Sequence, residues 1–355
     1  MDFTPTEEQR AAGDLAAEIF GDLSTPERLA ALGTATDTDL WKALCAAGLP
    51  GAVAETGLLG LVLMLEEQGR TTAQVPFAAS CAYGLLGVGA HGSDAQRARL
   101  LPGLKDGTEV ATGAFARGGA RPVTADGAAG SGRARLIGTV PVVPWLCEAT
   151  VLLVPDGQRR LWLVRTDEPG VGVVPVATTA PWSAGRLTLE GAAAEPLGGP
   201  HPPGRAHDDV LAVARTAFAG LQAGVCAGAL ARAVAHTTVR EQFGRPLATH
   251  QAVQLRAAEA YMDTEAIRVT AYEAAWRRDA GLEHATHALT AAWWASEAGK
   301  RVVHTGQHLH GGIGADLDHP VHRHFLWGRQ LDAHLGAGAA LLEELGALLT
   351  KESQA

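Results

Sequence analysis

Positive charge never accumulates in this chain of 355 residues. Lys and Arg total 29 against 38 Asp and Glu, the net charge is −9, and no basic run occurs. A nucleic-acid surface needs clustered Lys and Arg, so no nucleic-acid partner is expected. Cysteine is scarce: Cys45, Cys81, Cys147 and Cys226 show neither Cys-x-x-Cys nor Cys/His metal spacing. That excludes a metal framework and predicts reduced core thiols in a cytoplasmic protein. Aromatic residues make up only 5% of the chain. Long apolar runs are also missing. The stretch Leu58 to Leu65, among the longest, is too short to cross a bilayer, so no membrane partner is expected. Met1-Asp2-Phe3 leads into polar sequence with neither a charged nor an apolar leader region, so no targeting segment is expected.

Apolar residues form 47% of the chain and mean hydropathy is near zero, as in an ordinary globular protein of two or three domains. Abundant Ala and Gly allow helices to approach closely, which predicts dense helix packing. Thr4-Pro5-Thr6-Glu7 reads as a helix start with Thr4 as cap, Pro5 in the first turn and Glu7 closing a capping box. Helical periodicity then marks segments near 25–33, 38–47, 57–69, 75–91 and 94–105. It vanishes from about 110 to 192. Short apolar runs replace it: Leu136-Ile137, Val151–Val154, Leu161–Val164, Val171–Val176 and Leu187–Leu189. Turn signals at Asp156-Gly157, Pro169-Gly170 and Ala184-Gly185 separate them, which predicts a small β-domain. A Pro/Gly-dense linker spans Leu197 to Gly204. Long Ala-rich helices are expected beyond it at 208–240, 249–278, 283–308 and 320–349, with a frayed tail at 351–355. The expected fold is mainly α with a small β-domain: a helical domain at 1–108, a β-domain at 109–196 and a four-helix bundle at 205–355.

Two motifs stand out in the last segment. Arg240-Glu241-Gln242-Phe243-Gly244-Arg245-Pro246-Leu247 with Gln251 offers a guanidinium fork, an aromatic ring and amide edges after one helix. Gln307-His308-Leu309-His310-Gly311-Gly312-Ile313-Gly314 places a glycine turn after another, where backbone N–H groups can approach a phosphate. Pro320, Phe325 and Trp327 follow. His319, His322 and His324 lack a carboxylate at ligand spacing, so no metal is expected there.

With the order helical, β, helical, these motifs resemble the acyl-CoA dehydrogenase family over essentially the whole chain. The His-Gly-Gly-Ile-Gly-Ala-Asp and His-Arg-His-Phe-Leu-Trp-Gly stretches resemble the unequal-subunit dehydrogenases of actinobacterial steroid side-chain degradation. The resemblance implies FAD as cofactor. Arg240, Gln242, Phe243, Gly244, Gln251, Gly311, Gly312 and Gly314 would hold its adenine and pyrophosphate end, often for a neighbouring subunit. His308 falls where the family keeps a Gln, with Gln307 one place early. Arg215, 25 residues before Arg240, would meet the CoA of an acyl-CoA or acyl-carrier thioester.

The resemblance also marks losses. The two positions where the family keeps its catalytic Glu are Ala214 and Leu335, and an aliphatic side chain cannot accept a proton. Asp332, His334 and Glu343 are nearby substitutes. Gly113–Gly119 and Val142-Val143-Pro144 replace the family's ring-binding stretches. The expected function is therefore a subunit that lends flavin contacts to a catalytic homologue in a heteromer and does not itself abstract the proton. Two alternatives are a self-sufficient flavoenzyme with repurposed chemistry, such as natural-product oxidation or monooxygenation, and a flavin-free acyl-thioester-binding protein.

Overall fold

The computed structural model describes residues 2–115, 121–126, 134–198 and 204–352. Within them lie twelve α-helices, a π-helical stretch and nine strands. The first helix, α1 (Glu7–Leu23), starts later than the sequence suggested. Its cap is Thr6, whose hydroxyl accepts from the Gln9 amide while Gln9 reaches back to the Thr6 amide. The capping box is present two residues on from the Thr4/Glu7 reading, because Thr6 is the residue left in extended geometry. Three helices follow: α2 (Pro26–Leu32), α3 (Thr38–Ala46) and α4 (Leu49–Thr71). Helix α4 begins well before residue 57 and is interrupted at Gly57 (φ +70°, ψ −161°). Next come α5 (Phe77–Ala79), a wholly buried π-helical stretch (Ser80–Val88), α6 (Gly89–His91) and α7 (Asp94–Asp106).

The chain folds into two compact units. One comprises 32–57 and 74–214. Its seven-stranded sheet runs β1-β4-β5-β7-β3-β2, with β6 also on β7. The strands are β1 (Ala111–Gly113), β2 (Arg121–Asp126), β3 (Ala134–Val143), β4 (Val151–Pro155), β5 (Leu161–Arg165), β6 (Val171–Pro175) and β7 (Gly185–Pro196). Among the described residues, β1 and β4 are the one pair that runs in parallel. The five apolar runs each fall on a strand. β1 and β2 carry no such run and were missed. Along β3 burial alternates at first, as a sheet with one apolar face requires. That face closes over a core of Leu136, Val140, Leu152, Trp162, Leu187 and their neighbours.

The other unit comprises 1–31, 58–73 and 215–355. Here Asp279, the last residue of α9 (Gln251–Asp279), accepts the Leu58 and Leu59 amides at 2.9 Å each, capping the second half of α4. That half packs on α8 (Arg205–Val239) along a seam of glycines. A Cβ on Gly220 would meet Val62 at 2.8 Å, and one on Gly224 would meet the Glu66 carbonyl oxygen at 1.9 Å. The dense helix packing expected from Ala and Gly is realised here. Beside the seam, Arg268 Nε donates to the buried Glu66 carboxylate at 2.9 Å.

Helices α10 (Ala285–His310), α11 (Val321–Leu335) and α12 (Gly338–Glu352) complete the C-terminal segment. The single helix expected over 320–349 is in fact two. Gly336 (φ +107°) and Ala337 (φ +60°) adopt left-handed geometry that no α-helix continues through.

Two further expectations need correcting. All four cysteines are free, but only Cys81 and Cys226 are buried. Cys147 is exposed, because it lies in the turn between β3 and β4 rather than on a core-facing strand position. Apolar length was also underestimated from contiguous runs. By length and composition α4 and α8 could cross a membrane, yet 67% and 89% of their most apolar windows are buried inside the protein. Of the linker, residues 199–203 lie outside the described residues, as do 353–355 of the tail.

Candidate functional site

The motif after α8 is a tight hairpin. Its strands β8 (Glu241–Gln242) and β9 (Arg245–Pro246) pair Glu241 with Pro246 and Gln242 with Arg245. The Arg240 amide donates to the His236 carbonyl at 2.9 Å, and the Arg240 carbonyl accepts from Leu247 at 2.8 Å, which closes the base. The turn residues Phe243 (φ +57°) and Gly244 (φ +76°) both adopt positive φ, as a two-residue hairpin of this hand demands. Asn-Gly is the low-strain choice; a bulky Phe at the first position is strained. Phe243 is 90% exposed, with the His250 ring edge-on to it at 5.9 Å. Arg240 and Gln251, the first residue of α9, are exposed. Gln242 turns its amide back to the Glu241 carbonyl at 2.8 Å.

The glycine motif ends α10. Gly311 (φ +65°) is the C-cap, and Gly311–Ala315 forms a short 3-10 turn. Gly311 and Gly312 face open space, with no atom within 4 Å of a Cβ placed on either. Gly314 is buried, and a Cβ there would meet the Gln307 carbonyl oxygen at 2.5 Å. Gln307 spends its side chain inside the turn, donating to the Gly314 carbonyl at 3.3 Å. His308, by contrast, is exposed. It lines an open groove of about 860 Å³ together with Arg256, Asp263, Lys300, Arg301 and His304. Of the two residues, His308 is therefore the one free to face a ligand.

Sequence spacing did not show how the two motifs meet. The His236 ring, four residues before Arg240, stacks on His310, the residue before Gly311, at 4.7 Å and 25°. His319 packs edge-on against His310 at 4.9 Å. The hairpin and the glycine turn are thus rooted in one cluster of imidazoles. Burial lowers the pKa of His236, aided by His310 and Arg240. Burial also lowers that of His319, aided by His310 and Arg232 and opposed by Asp316.

The other predicted residues are placed differently. Arg215 is buried and forms a bidentate pair with Glu344 of α12, at 2.9 and 2.5 Å. Ala214 and Leu335 are 3% and 2% exposed. Asp332 accepts from the Ser296 hydroxyl and lies 3.6 Å from Arg329. His334 packs edge-on against Phe218 at 4.3 Å, and Glu343 is exposed. The three candidate substitute bases therefore occupy three separate environments.

In the sheet-bearing unit, residues 116–119 of the Gly113–Gly119 stretch lie outside the described residues. Gly113 lies against Tyr83, whose ring a Cβ would meet at 2.4 Å. Phe115 stacks on Tyr83 at 5.5 Å and lies 5.4 Å from the His207 ring. Val143 is buried, and the Pro144 carbonyl accepts from the Thr112 hydroxyl at 2.7 Å. Among the described residues, no group of three or more His, Cys, Asp or Glu is placed to hold a metal ion.

Residues 6–108 match the model of the acyl-CoA dehydrogenase N-terminal domain, and residues 205–347 match that of the C-terminal domain. Acyl-CoA dehydrogenase FadE27 of Mycobacterium tuberculosis is 35% identical over 98% of both chains. The chain belongs to the acyl-CoA dehydrogenase family. Two solved family structures are similar over almost the full length. One is the Tcur3481-Tcur3483 steroid ACAD G363A variant, with 40% identity, a TM-score of 0.92, and 98% of this chain and 99% of that one covered. The other is the ChsE4-ChsE5 complex from Mycobacterium tuberculosis, with 33% identity, a TM-score of 0.91, and 99% of both chains covered.

Proposed function

We propose that this chain is the non-catalytic subunit of a heteromeric, FAD-dependent acyl-CoA dehydrogenase acting on a bulky acyl thioester, such as a steroid or polyketide chain on CoA or a carrier protein. The observation that carries this is an asymmetry within one bundle. Most of the residues suited to an adenine dinucleotide, Arg240, Phe243, Gly311 and Gly312 among them, are exposed or on open backbone. The two positions suited to the catalytic base hold buried Ala214 and Leu335. Similarity to chains from two paired complexes supports the heteromer.

The residues fit the adenine end of FAD. The exposed Arg240 guanidinium would donate two hydrogen bonds to the diphosphate. Phe243 would offer its ring to adenine. Gly311 and Gly312 lie on backbone open enough for a phosphate to approach. Gln242, Gly244, Gln251, His308 and Gly314 complete the clamp. Bound FAD supplies the acceptor for the hydride that leaves the β-carbon. The α-proton must go to a carboxylate, and the catalytic homologue would provide it, since Ala214 and Leu335 hold no proton acceptor. Arg215 would reach the thioester's CoA only after releasing Glu344.

The test is visible flavin absorbance, with mass by light scattering, for the chain alone and co-expressed with a catalytic homologue. A colourless lone chain and a yellow mixed complex are expected. A yellow homo-oligomer would overturn the proposal in favour of a self-sufficient flavoenzyme. Absence of flavin from every assembly would leave a flavin-free thioester-binding protein.

A further inference from the structure

The last helix, α12, is held to the bundle at few points. Among its described residues only Gly338 and Leu341 are buried. Leu342 and Leu349 are 54% and 50% exposed, and a Cβ placed on Gly346 would meet no atom within 4 Å. A helix of 15 residues with a glycine near its middle is marginal by itself. Two left-handed residues, Gly336 (φ +107°) and Ala337 (φ +60°), tie it to α11. Both donate their amides to the Asp332 carbonyl, at 3.3 and 3.1 Å, and the Ser296 hydroxyl fixes Asp332 in turn. Gly338 packs against α10, where a Cβ would meet Glu297 Oε1 at 2.1 Å. The start of α12 is therefore anchored. Beyond it, Leu341 is the buried apolar contact and Glu344 the ionic one.

The Arg215–Glu344 pair is lopsided. The Arg215 side chain is 8% exposed, whereas that of Glu344 is 49% exposed. The guanidinium belongs to the interior, and the carboxylate closes over it from the solvent side. Nη1 and Nη2 donate to its two oxygens at 2.9 and 2.5 Å. The buried Nε has no hydrogen-bond partner among the described residues. An unpaired buried N–H costs free energy, so the carboxylate leaves part of this cation's donor capacity unused. A phosphate group, with a third oxygen to offer, suits the full set of donors better. A guanidinium buried this deeply is strongly destabilising without a counter-charge, so Glu344 leaves only as another anion arrives.

We propose that α12 is an autoinhibitory strap: Glu344 stoppers the buried Arg215 guanidinium, and the helix lifts about Gly336 and Ala337 when a phosphate-bearing ligand takes the carboxylate's place. The strap rests on the thioester reading above only for its ligand, whose phosphate is of the CoA class. Two losses then act at different steps in this subunit. The aliphatic side chains at 214 and 335 remove proton transfer, and the closed strap refuses the thioester before any chemistry begins. A substrate that needs no proton abstraction is refused equally.

The experiment is hydrogen exchange over α12, read by mass spectrometry on the purified full chain, paired with calorimetry using CoA. Leu341→Ala loosens the strap without touching the ion pair. Glu344→Gln removes the stopper's charge and keeps an acceptor. Each should speed exchange of the α12 amides by about tenfold or more and leave α10 and α11 unchanged. Each should also tighten CoA binding by about tenfold or more over the parent, because the closed state no longer competes. Adding Arg215→Gln to Leu341→Ala should abolish that gain while α12 still exchanges fast. Unchanged α12 exchange, or CoA bound no more tightly, in either folded variant would overturn the strap. A gain in CoA affinity that survives Arg215→Gln would overturn it too, because the anion would then sit elsewhere. The subunit reading fails on a different result: a yellow homo-oligomer of the chain alone, whatever the state of α12.

Discussion

The middle and the end of the same helical unit are built to opposite rules. In the middle, Gly224 lets α8 touch the backbone of α4, Gly228 makes room for His324, and Arg215 is locked to Glu344. These contacts commit the named residues to their neighbours. At the end, Phe243 sits 90% exposed in a strained turn, and Gly311 and Gly312 face open space. The contrast separates groups committed to packing from groups left exposed on strained or open backbone, where the proposed ligand contacts lie.

Substitutions across this boundary should separate stability from binding. The largest effect belongs to the middle. Gly224→Val drives side-chain atoms into the Glu66 carbonyl, and its urea-unfolding stability should fall by about 4 kcal/mol or the chain should fail to fold. Gly312→Ala, in open space at the end, should stay within about 0.5 kcal/mol of the parent. An equal loss in both would erase the distinction.

Next comes acid sensitivity of the middle. His324 is buried, with Nε2 3.0 Å from the Arg70 carbonyl, and burial pushes its pKa down to about 4. The folded value lies below the unfolded one, about 6.5, so the neutral ring's contribution is complete above that pH and is lost as pH falls towards 4. Urea midpoints at pH 7, 5.5 and 4.5 should reveal a loss on the order of 3 kcal/mol, and His324→Gln should flatten the part of the curve due to this ring.

Arg240→Ala acts at the end alone. Flavin retention by the mixed complex should weaken by about tenfold to a hundredfold, the worth of a charge-assisted pair, with thermal stability unmoved. Full retention of flavin would remove Arg240 from the clamp. The smallest effect carries the most telling sign. Phe243→Asn relieves the positive-φ strain and should stabilise the chain by about 0.5 kcal/mol while weakening flavin retention several-fold. A variant that loses both would show that Phe243 serves the fold.

Much of the architecture was legible. The helical segments, the five apolar strands and the hairpin and glycine-turn motifs announced themselves through periodicity, turn residues and spacing. What escaped was short or conformational. β1 and β2 have no apolar run of their own. The break after Leu335 depends on left-handed geometry at Gly336 and Ala337, which an Ala-rich stretch conceals. Contiguous hydropathy hid the apolar character of α8, because scattered polar residues interrupt every run. Of the site, residue types were legible and their commitments were not. Arg215 reads as a ligand in sequence and proves to be paired in the fold, and only the turn's geometry distinguishes Gln307 from His308.

The sequence by itself determined the element order, the family and the aliphatic residues at 214 and 335, since these are local or positional properties of the chain. Only the tertiary structure decided that His236 and His310, 74 positions apart, share one stack. It also decided that Glu344 claims Arg215. Side chains distant in sequence meet where helix packing sets the distance between their axes, and no period along a single strand of sequence encodes that distance.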